Sequence, residues 1–191
     1  MTLLNKKRIK LVLGSIALVA ICAVVFYFRA YPIKLNMVTL DWQTIGELRG
    51  EDESLTVLGT GMSIDRKEFY LISVDGQFGY VSFERGPFGR HRLRNVGYGD
   101  GDFRNGIIES DGKKYLLFSG VDSGGDIDKI TVKIEEFSYD LTPLKSRPFL
   151  TYCEVDSSIK AQNVNLFDIT FYDANSNDIT SNYELSGGTI Q

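Results

Sequence analysis

The chain has 191 residues, a net charge of −4 and one histidine, and this length corresponds to one ordinary globular domain. A single histidine and two cysteines exclude a multi-histidine zinc site and a disulfide framework. The five basic residues among the first thirty leave 16 basic against 25 acidic residues in the remainder, a net charge of −9, which argues against broad affinity for nucleic acid.

An apolar segment near the N-terminus predicts a membrane anchor. Residues 9–28, uncharged except for Lys10, would form a helix roughly 30 Å long, which matches one hydrocarbon core. Residues 1–8 are predicted as a basic cytoplasmic stub, because Lys6, Lys7 and Arg8 favour the cytoplasmic side of a membrane. The sequence therefore predicts a single-pass protein of the cell membrane, with a cytoplasmic N-terminus and an extracytoplasmic C-terminal domain.

Two other interpretations of this segment remain open. A cleaved signal peptide needs small residues at −1 and −3 of the cut, whereas a cut after Ala30 would place Phe28 at −3. A lipoprotein cut before Cys22 would place Ile21 directly before the cut, where Gly, Ala or Ser is required. The pattern thus favours an uncleaved signal-anchor.

The rest of the chain has the pattern of an all-β domain. Residues 29–52 are predicted as a juxtamembrane segment with one short helix between Asp41 and Gly50, and residues 53–191 as the β-domain. Short runs rich in β-branched and aromatic residues alternate with turn residues, including Asp75-Gly76 and Asp111-Gly112, which are strong hairpin signals. We expect an antiparallel sandwich or barrel.

A basic stretch around residue 90 is the first candidate binding site. It contains five residues with no acid among them from residue 85 to 94: Arg85, Arg90, His91, Arg92 and Arg94. Guanidinium groups along an edge strand would bind carboxylate or phosphate groups in a bidentate manner. The alternative is a charged edge that only discourages strand pairing.

The segment "DANSNDITSNYE" is the second candidate, because its spacing resembles an EF-hand calcium loop. The side-chain or carbonyl oxygens would come from Asp173, Asn175, Asn177, Ile179, Ser181 and Glu184. Asp178 stands where the loop needs glycine, and a strand-like run precedes the loop instead of a helix. The alternative is a polar hairpin tip. Two other acidic segments, "DGDFRN" and "DSGGDID", are predicted as solvated loops.

An enzyme has little support in the sequence. A lone His91 followed by a lone extracytoplasmic Cys153 in an anchored β-domain resembles the layout of sortases, which pair a cysteine nucleophile with histidine and arginine. The chain departs from that family, because Tyr152 replaces the threonine before the cysteine and no arginine follows Cys153. Gly97 and Gly99 lack the third glycine of a nucleotide-binding turn, so no nucleotide is expected.

These patterns predict a membrane-anchored envelope protein whose acidic β-domain acts as a binding or scaffolding module and catalyses nothing. Its expected partners are the membrane, through residues 9–28, and an acidic protein or anionic envelope component. No cofactor is expected. A calcium-stabilised surface domain is the first alternative, and a sortase-like enzyme is the second.

Overall fold

The computed structural model describes residues 3–35, 55–58, 61–143, 148–165, 168–183 and 185. One helix, α1 (Leu3–Ala30), precedes eleven strands in these residues. The strands are β1 (Leu55–Val57), β2 (Met62–Ile64), β3 (Lys67–Val74), β4 (Gln77–Arg85), β5 (His91–Gly99), β6 (Phe103–Ser110), β7 (Lys113–Gly120), β8 (Lys129–Ile134), β9 (Phe137–Leu141), β10 (Phe149–Val155) and β11 (Ile169–Tyr172). Single turns of 3₁₀-helix lie at Pro87–Gly89 and Thr180–Asn182.

The helix α1 is long and apolar enough to cross a membrane. Its span of 21 residues, Lys10–Ala30, has a mean hydropathy of 2.7, and none of it is buried. The helix already begins at Leu3, so the basic residues before the span continue the same helix. The short helix predicted between residues 41 and 50, and the domain boundary predicted at residue 53, lie outside the described residues.

The strands form three antiparallel sheets, which confirms an all-β antiparallel domain behind one apolar helix. The first sheet has the order β1-β3-β4-β5, with β2 also paired to β3. The middle sheet has the order β10-β7-β6, and the third sheet has the order β11-β8-β9. Both hairpin signals of the sequence form tight turns with positive φ at Asp75 (49°), Gly76 (85°), Asp111 (47°) and Gly112 (78°).

The middle sheet is buried on both faces, so the domain is a stack of three layers. Alternate residues of β7 enter opposite cores: Leu116 and Phe118 pack against the third sheet, whereas Tyr115 and Leu117 pack against the first. This arrangement explains why β7 is a nearly continuous apolar run. In contrast β8, which has one buried face, alternates strictly.

The far face of the first sheet carries a third core. Tyr70, Ile72, Val81 and Phe83 pack there together with Ile33 from the chain just after α1. Ile33 also forms an antiparallel bridge with His91, the first residue of β5. The chain that follows α1 thus joins the β-domain within three residues of the helix end.

Candidate functional site

The predicted basic stretch surrounds the turn between β4 and β5, next to the end of α1. Arg90 is bound to the chain that follows the helix, because its Nε donates to the carbonyl oxygen of Tyr31 at 2.7 Å and its Nη2 to that of Pro32. Its guanidinium also lies over the Phe28 ring, 4.7 Å from the centroid. Arg90 therefore fastens the β-domain to the helix.

His91 is buried, so its side chain is not part of an exposed binding surface. Its backbone N–H donates to Ile33 at 2.7 Å and its carbonyl oxygen accepts from Ile33 at 3.0 Å. Its Nε2 lies 3.2 Å from the Glu68 carboxylate, and this carboxylate accepts a hydrogen bond from the Tyr70 hydroxyl at 3.1 Å. Burial and the negative charge of Glu68 raise the pKa of Tyr70 to about 12, so this hydroxyl stays protonated.

Arg92 and Arg94 converge with Arg66 on one carboxylate, that of Glu84. The Arg92 Nη2 and the Arg94 Nε lie 2.8 Å and 2.6 Å from Glu84 Oε2, and the Arg66 Nη2 lies 3.9 Å from Oε1. Burial raises the pKa of Glu84, but the hydrogen bonds and charges of Arg92 and Arg94 outweigh it and leave the pKa below its usual range. We call these four residues the basic cluster. Its three cations share one anion, so it keeps a surplus of positive charge.

Arg85 lies apart from the basic cluster. It pairs with His91 across β4 and β5, whereas its neighbour Glu84 pairs with Arg92. Because successive residues of a strand point to opposite faces, Arg85 and Glu84 belong to different faces of the first sheet. The arginines predicted as one patch therefore have three different roles. Arg92 and Arg94 belong to the basic cluster, Arg90 binds the chain after α1, and Arg85 is exposed on its own.

The predicted calcium loop folds as a polar turn closed by its own hydrogen bonds. Asp173 Oδ1 accepts the backbone N–H groups of Asn175 at 2.9 Å and Asn177 at 2.8 Å. Asp173 Oδ2 accepts the side-chain amide of Asn177 at 2.9 Å. These bonds, led by the Asn177 side chain, hold the pKa of Asp173 below its usual range. The carboxylate is therefore already solvated by the chain.

Two further predicted ligands, Ile179 and Ser181, belong to a single turn of 3₁₀-helix. The Ile179 carbonyl oxygen accepts the N–H of Asn182 at 2.9 Å, and Ser181 lies within the following 3₁₀ turn. Left-handed backbone occurs at Ser176 (φ 64°), two residues before the position where an EF-hand loop needs it. Glu184 lies outside the described residues.

Calcium is therefore expected to leave the stability of the chain unchanged. A loop with a Kd of about 10 μM would add about 2.7 kcal/mol at about 1 mM calcium, which raises Tm by several degrees. We expect the same Tm in calcium and in EDTA, as measured by thermal unfolding of the full chain. A rise in calcium that Glu184→Gln abolishes would contradict this prediction.

Cys153 and His91 do not meet, although the sortase-like interpretation requires them to. Cys153 lies on β10 of the middle sheet and packs toward the core shared with the third sheet. His91 begins β5, at the edge of the first sheet. Burial, with a smaller contribution from Asp140, raises the pKa of Cys153 to about 11, whereas a cysteine nucleophile needs a lowered pKa.

Cys153 is accordingly expected to react slowly with alkylating agents while the domain is folded. A pKa near 11 leaves roughly 200-fold less thiolate at pH 8 than an ordinary cysteine has. The rate of iodoacetamide labelling, measured in a Cys22→Ser chain, should rise by about two orders of magnitude when guanidinium unfolds it. Equal rates for the folded and unfolded chain would show an accessible, activated thiol.

Two residues of the segments predicted as solvated loops are buried, Arg104 in β6 and Asp122, which corrects that prediction. Arg104 of "DGDFRN" donates hydrogen bonds to backbone carbonyl oxygens, among them those of Phe78, Asp100 and Gly101. Asp122 of "DSGGDID" accepts the N–H groups of Gly125 at 2.8 Å and Ile127 at 3.1 Å, and the hydroxyl of Tyr183 at 2.9 Å. Both residues hold loops in place, and local sequence gives no signal of it because their partners are distant or on the backbone.

The basic cluster is the site that best combines charge with exposure. The side chains of Arg66 and Arg94 are 53% and 48% exposed, whereas Glu84 between them is 14% exposed. In the described residues, no group of three or more His, Cys, Asp or Glu side chains is placed to hold a metal ion. No family model, no curated protein and no solved structure matches the chain.

Proposed function

We propose that this chain is a single-pass protein of the cell membrane that holds a non-catalytic binding domain at the extracytoplasmic face of that membrane. The apolar span of α1 supports the anchor. The basic residues before the span, with no acid among the first thirty residues, support a cytoplasmic N-terminus. The β-domain then lies outside the cell.

The observation that carries the binding role is the surplus charge of the basic cluster. Among the described residues, Arg66, Arg92 and Arg94 face one carboxylate, so two of these positive charges have no ion-pair partner there, on an otherwise acidic domain. Guanidinium groups with free donors bind carboxylates and phosphates in fixed geometry. The partner that fits is an acidic protein segment or an anionic component of the envelope.

The junction with α1 gives this binding role its position. The bridge between Ile33 and His91, together with the hydrogen bond from Arg90 to Tyr31, binds the residues directly after the helix to the start of β5. A partner bound at the basic cluster would therefore be held close to the membrane surface. A domain held at a fixed position in this way suits a scaffold, whereas a domain on a long flexible linker would not keep its partner near the membrane.

The proposal predicts that reversing the charge of the cluster abolishes anion binding. The full chain in neutral-lipid nanodiscs would be titrated with two fluorescent probes, a polyglutamate peptide and a glycerol-phosphate polymer. We expect one probe to bind, and Arg92→Glu with Arg94→Glu to weaken it by at least about tenfold, because attraction becomes repulsion.

A matched control keeps the same change of net charge at another place. Lys129→Glu with Lys133→Glu lies on β8 of the third sheet, and this pair should leave binding within about twofold of the wild type. Equal loss in both double variants would show that only net charge matters. Binding that neither variant changes would also overturn the proposal.

A further inference from the structure

A groove of about 560 Å³ lies between the last turns of α1 and the turn that joins β4 to β5. The helix lines it with Ala23, Val24 and Phe28, and the turn lines it with Phe88. Lys34 and Arg90 add two cations, and no acidic residue lines it. The groove thus combines an apolar wall with positive charge. This combination suits an anionic phospholipid, which has apolar acyl chains and a phosphate, and does not suit a soluble polar ligand.

The position of the groove along α1 places it in the membrane interface. Its helical residues lie two to seven positions before the end of the span at Ala30, roughly 3–10 Å along the helix axis. When α1 crosses the membrane, that depth corresponds to the glycerol and upper acyl region of the outer leaflet. The medium that fills the groove is then lipid.

The turn between β4 and β5 exposes the Phe88 side chain toward the lipid, although its backbone conformation is unfavourable. Phe88 is 93% exposed and has a φ of 57°, a left-handed conformation that bulky side chains rarely adopt. Its ring stands edge-on to that of Tyr27 at 5.8 Å, and the Tyr27 hydroxyl donates to the carbonyl oxygen of Pro87. An exposed ring fixed beside the helix is explained if acyl chains surround it.

The cations are placed for a phosphate group. Lys34 is exposed, and its ammonium has no hydrogen bond or ion pair within the described chain. Arg90 uses Nε and Nη2 for the Tyr31 and Pro32 carbonyl oxygens, and its Nη1 donors have no hydrogen-bond partner in the part of the chain that the structure describes. Interfacial lysine and arginine residues attract anionic lipids by about fivefold each.

We propose that this groove binds one anionic phospholipid of the outer leaflet. One acyl chain lies along Ala23 and Val24 beside the Phe88 ring, and the phosphate binds Lys34 and Arg90. The proposal rests on the membrane-spanning role of α1 in the proposed function. It does not depend on the basic cluster or on the partner of that cluster.

The test counts lipids on the full chain. Protein reconstituted with phosphatidylcholine and a minor fraction of phosphatidylglycerol would be released into mild detergent and weighed by native mass spectrometry. We expect one retained phosphatidylglycerol per chain. Lys34→Glu should lower its preference over phosphatidylcholine at least fivefold, and Ala23→Trp, which fills the groove, should remove it.

Ala17→Trp is the matched control, since it places the same bulk on α1 outside the groove. Equal retention of both lipids by the wild type, or no effect of Ala23→Trp relative to Ala17→Trp, would overturn the lipid site. Extraction of the chain by alkaline carbonate would instead overturn the anchor and the lipid site together. Retention of phosphatidylglycerol by the Arg92→Glu, Arg94→Glu chain would support a lipid site independent of the basic cluster.

Discussion

Replacing Arg104 with methionine is expected to destabilise the β-domain by about 3–5 kcal/mol. The residue is only 2% exposed, although its side chain carries a charge. Its guanidinium donates to five backbone carbonyl oxygens, those of Phe78, Gly99, Asp100, Gly101 and Phe103. These donors take the place of water as hydrogen-bond partners of the carbonyl oxygens between Gly99 and Phe103. The bond to Phe78 also connects β4 of the first sheet to the start of β6 in the middle sheet.

Methionine keeps most of the apolar stem of arginine but removes every donor. The buried carbonyl oxygens of Phe78 and Phe103 would then lose this donor, and each unsatisfied buried group costs about 1–3 kcal/mol. Water can reach part of the loop and recover part of this loss, because Asp100 is exposed. The expected net effect is a large fraction of the total stability of an ordinary domain.

The measurement is thermal unfolding of the full chain in mild detergent, followed by near-ultraviolet circular dichroism of the aromatic residues in the β-domain. At about 2–4 °C per kcal/mol, Tm should fall by about 6–20 °C. Arg94→Met is the control, because Arg94 is half exposed and shares Glu84 with two other arginines, so it should cost no more than about 1 kcal/mol. Equal effects of the two variants would contradict the assigned role of Arg104.

Local patterns in the sequence predict the elements of the fold because their causes are local. The Asp-Gly pairs at 75–76 and 111–112 occupy left-handed turns that few other residue pairs tolerate, so the two hairpins follow from a few residues each. The alternation of Ile130, Val132 and Ile134 likewise follows from one buried face. The apolar helix is predicted by its composition alone.

The stacking of the sheets and the site could not be predicted in this way. The continuous apolar sequence of β7 indicates that both faces of the strand are buried, but it does not indicate which sheets cover them. The basic stretch shows its charges in the sequence, whereas the contact of Arg92 and Arg94 with Glu84, which Arg66 joins from outside the stretch, depends on strand pairing. The sequence groups Arg90 and His91 with the binding patch because nothing in it indicates that residues 31–33 return to β5.

Replacing Phe171 with alanine is the second change with a large expected effect, about 3–5 kcal/mol. Phe171 lies on β11, an edge strand of the third sheet, and it is fully buried. Its ring lies 4.8 Å from that of Phe103, 6.2 Å from that of Phe118 and 5.2 Å from that of Tyr183. Alanine would leave a cavity among rings that cannot collapse without moving the strands.

The adjacent residue provides a control on the same strand. Tyr172 points to the opposite face, where its ring lies 4.5 Å from the Lys129 ammonium, so Tyr172→Ala should cost no more than about 1 kcal/mol. Phe171→Leu should recover part of the loss, since it fills part of the cavity. Equal stability of the two alanine variants would show that the third sheet contributes little to the core.

The same variant tests whether the three layers unfold together. The middle sheet contributes Phe118 to the core with the third sheet and Leu117 to the core with the first, so both cores share one strand. Because of this sharing, Phe171→Ala should lower the unfolding temperature reported by a probe in the first sheet as much as that reported in the third. Two separate transitions would mean that the first sheet is stable on its own, and the basic cluster would then keep its geometry after the third sheet unfolds.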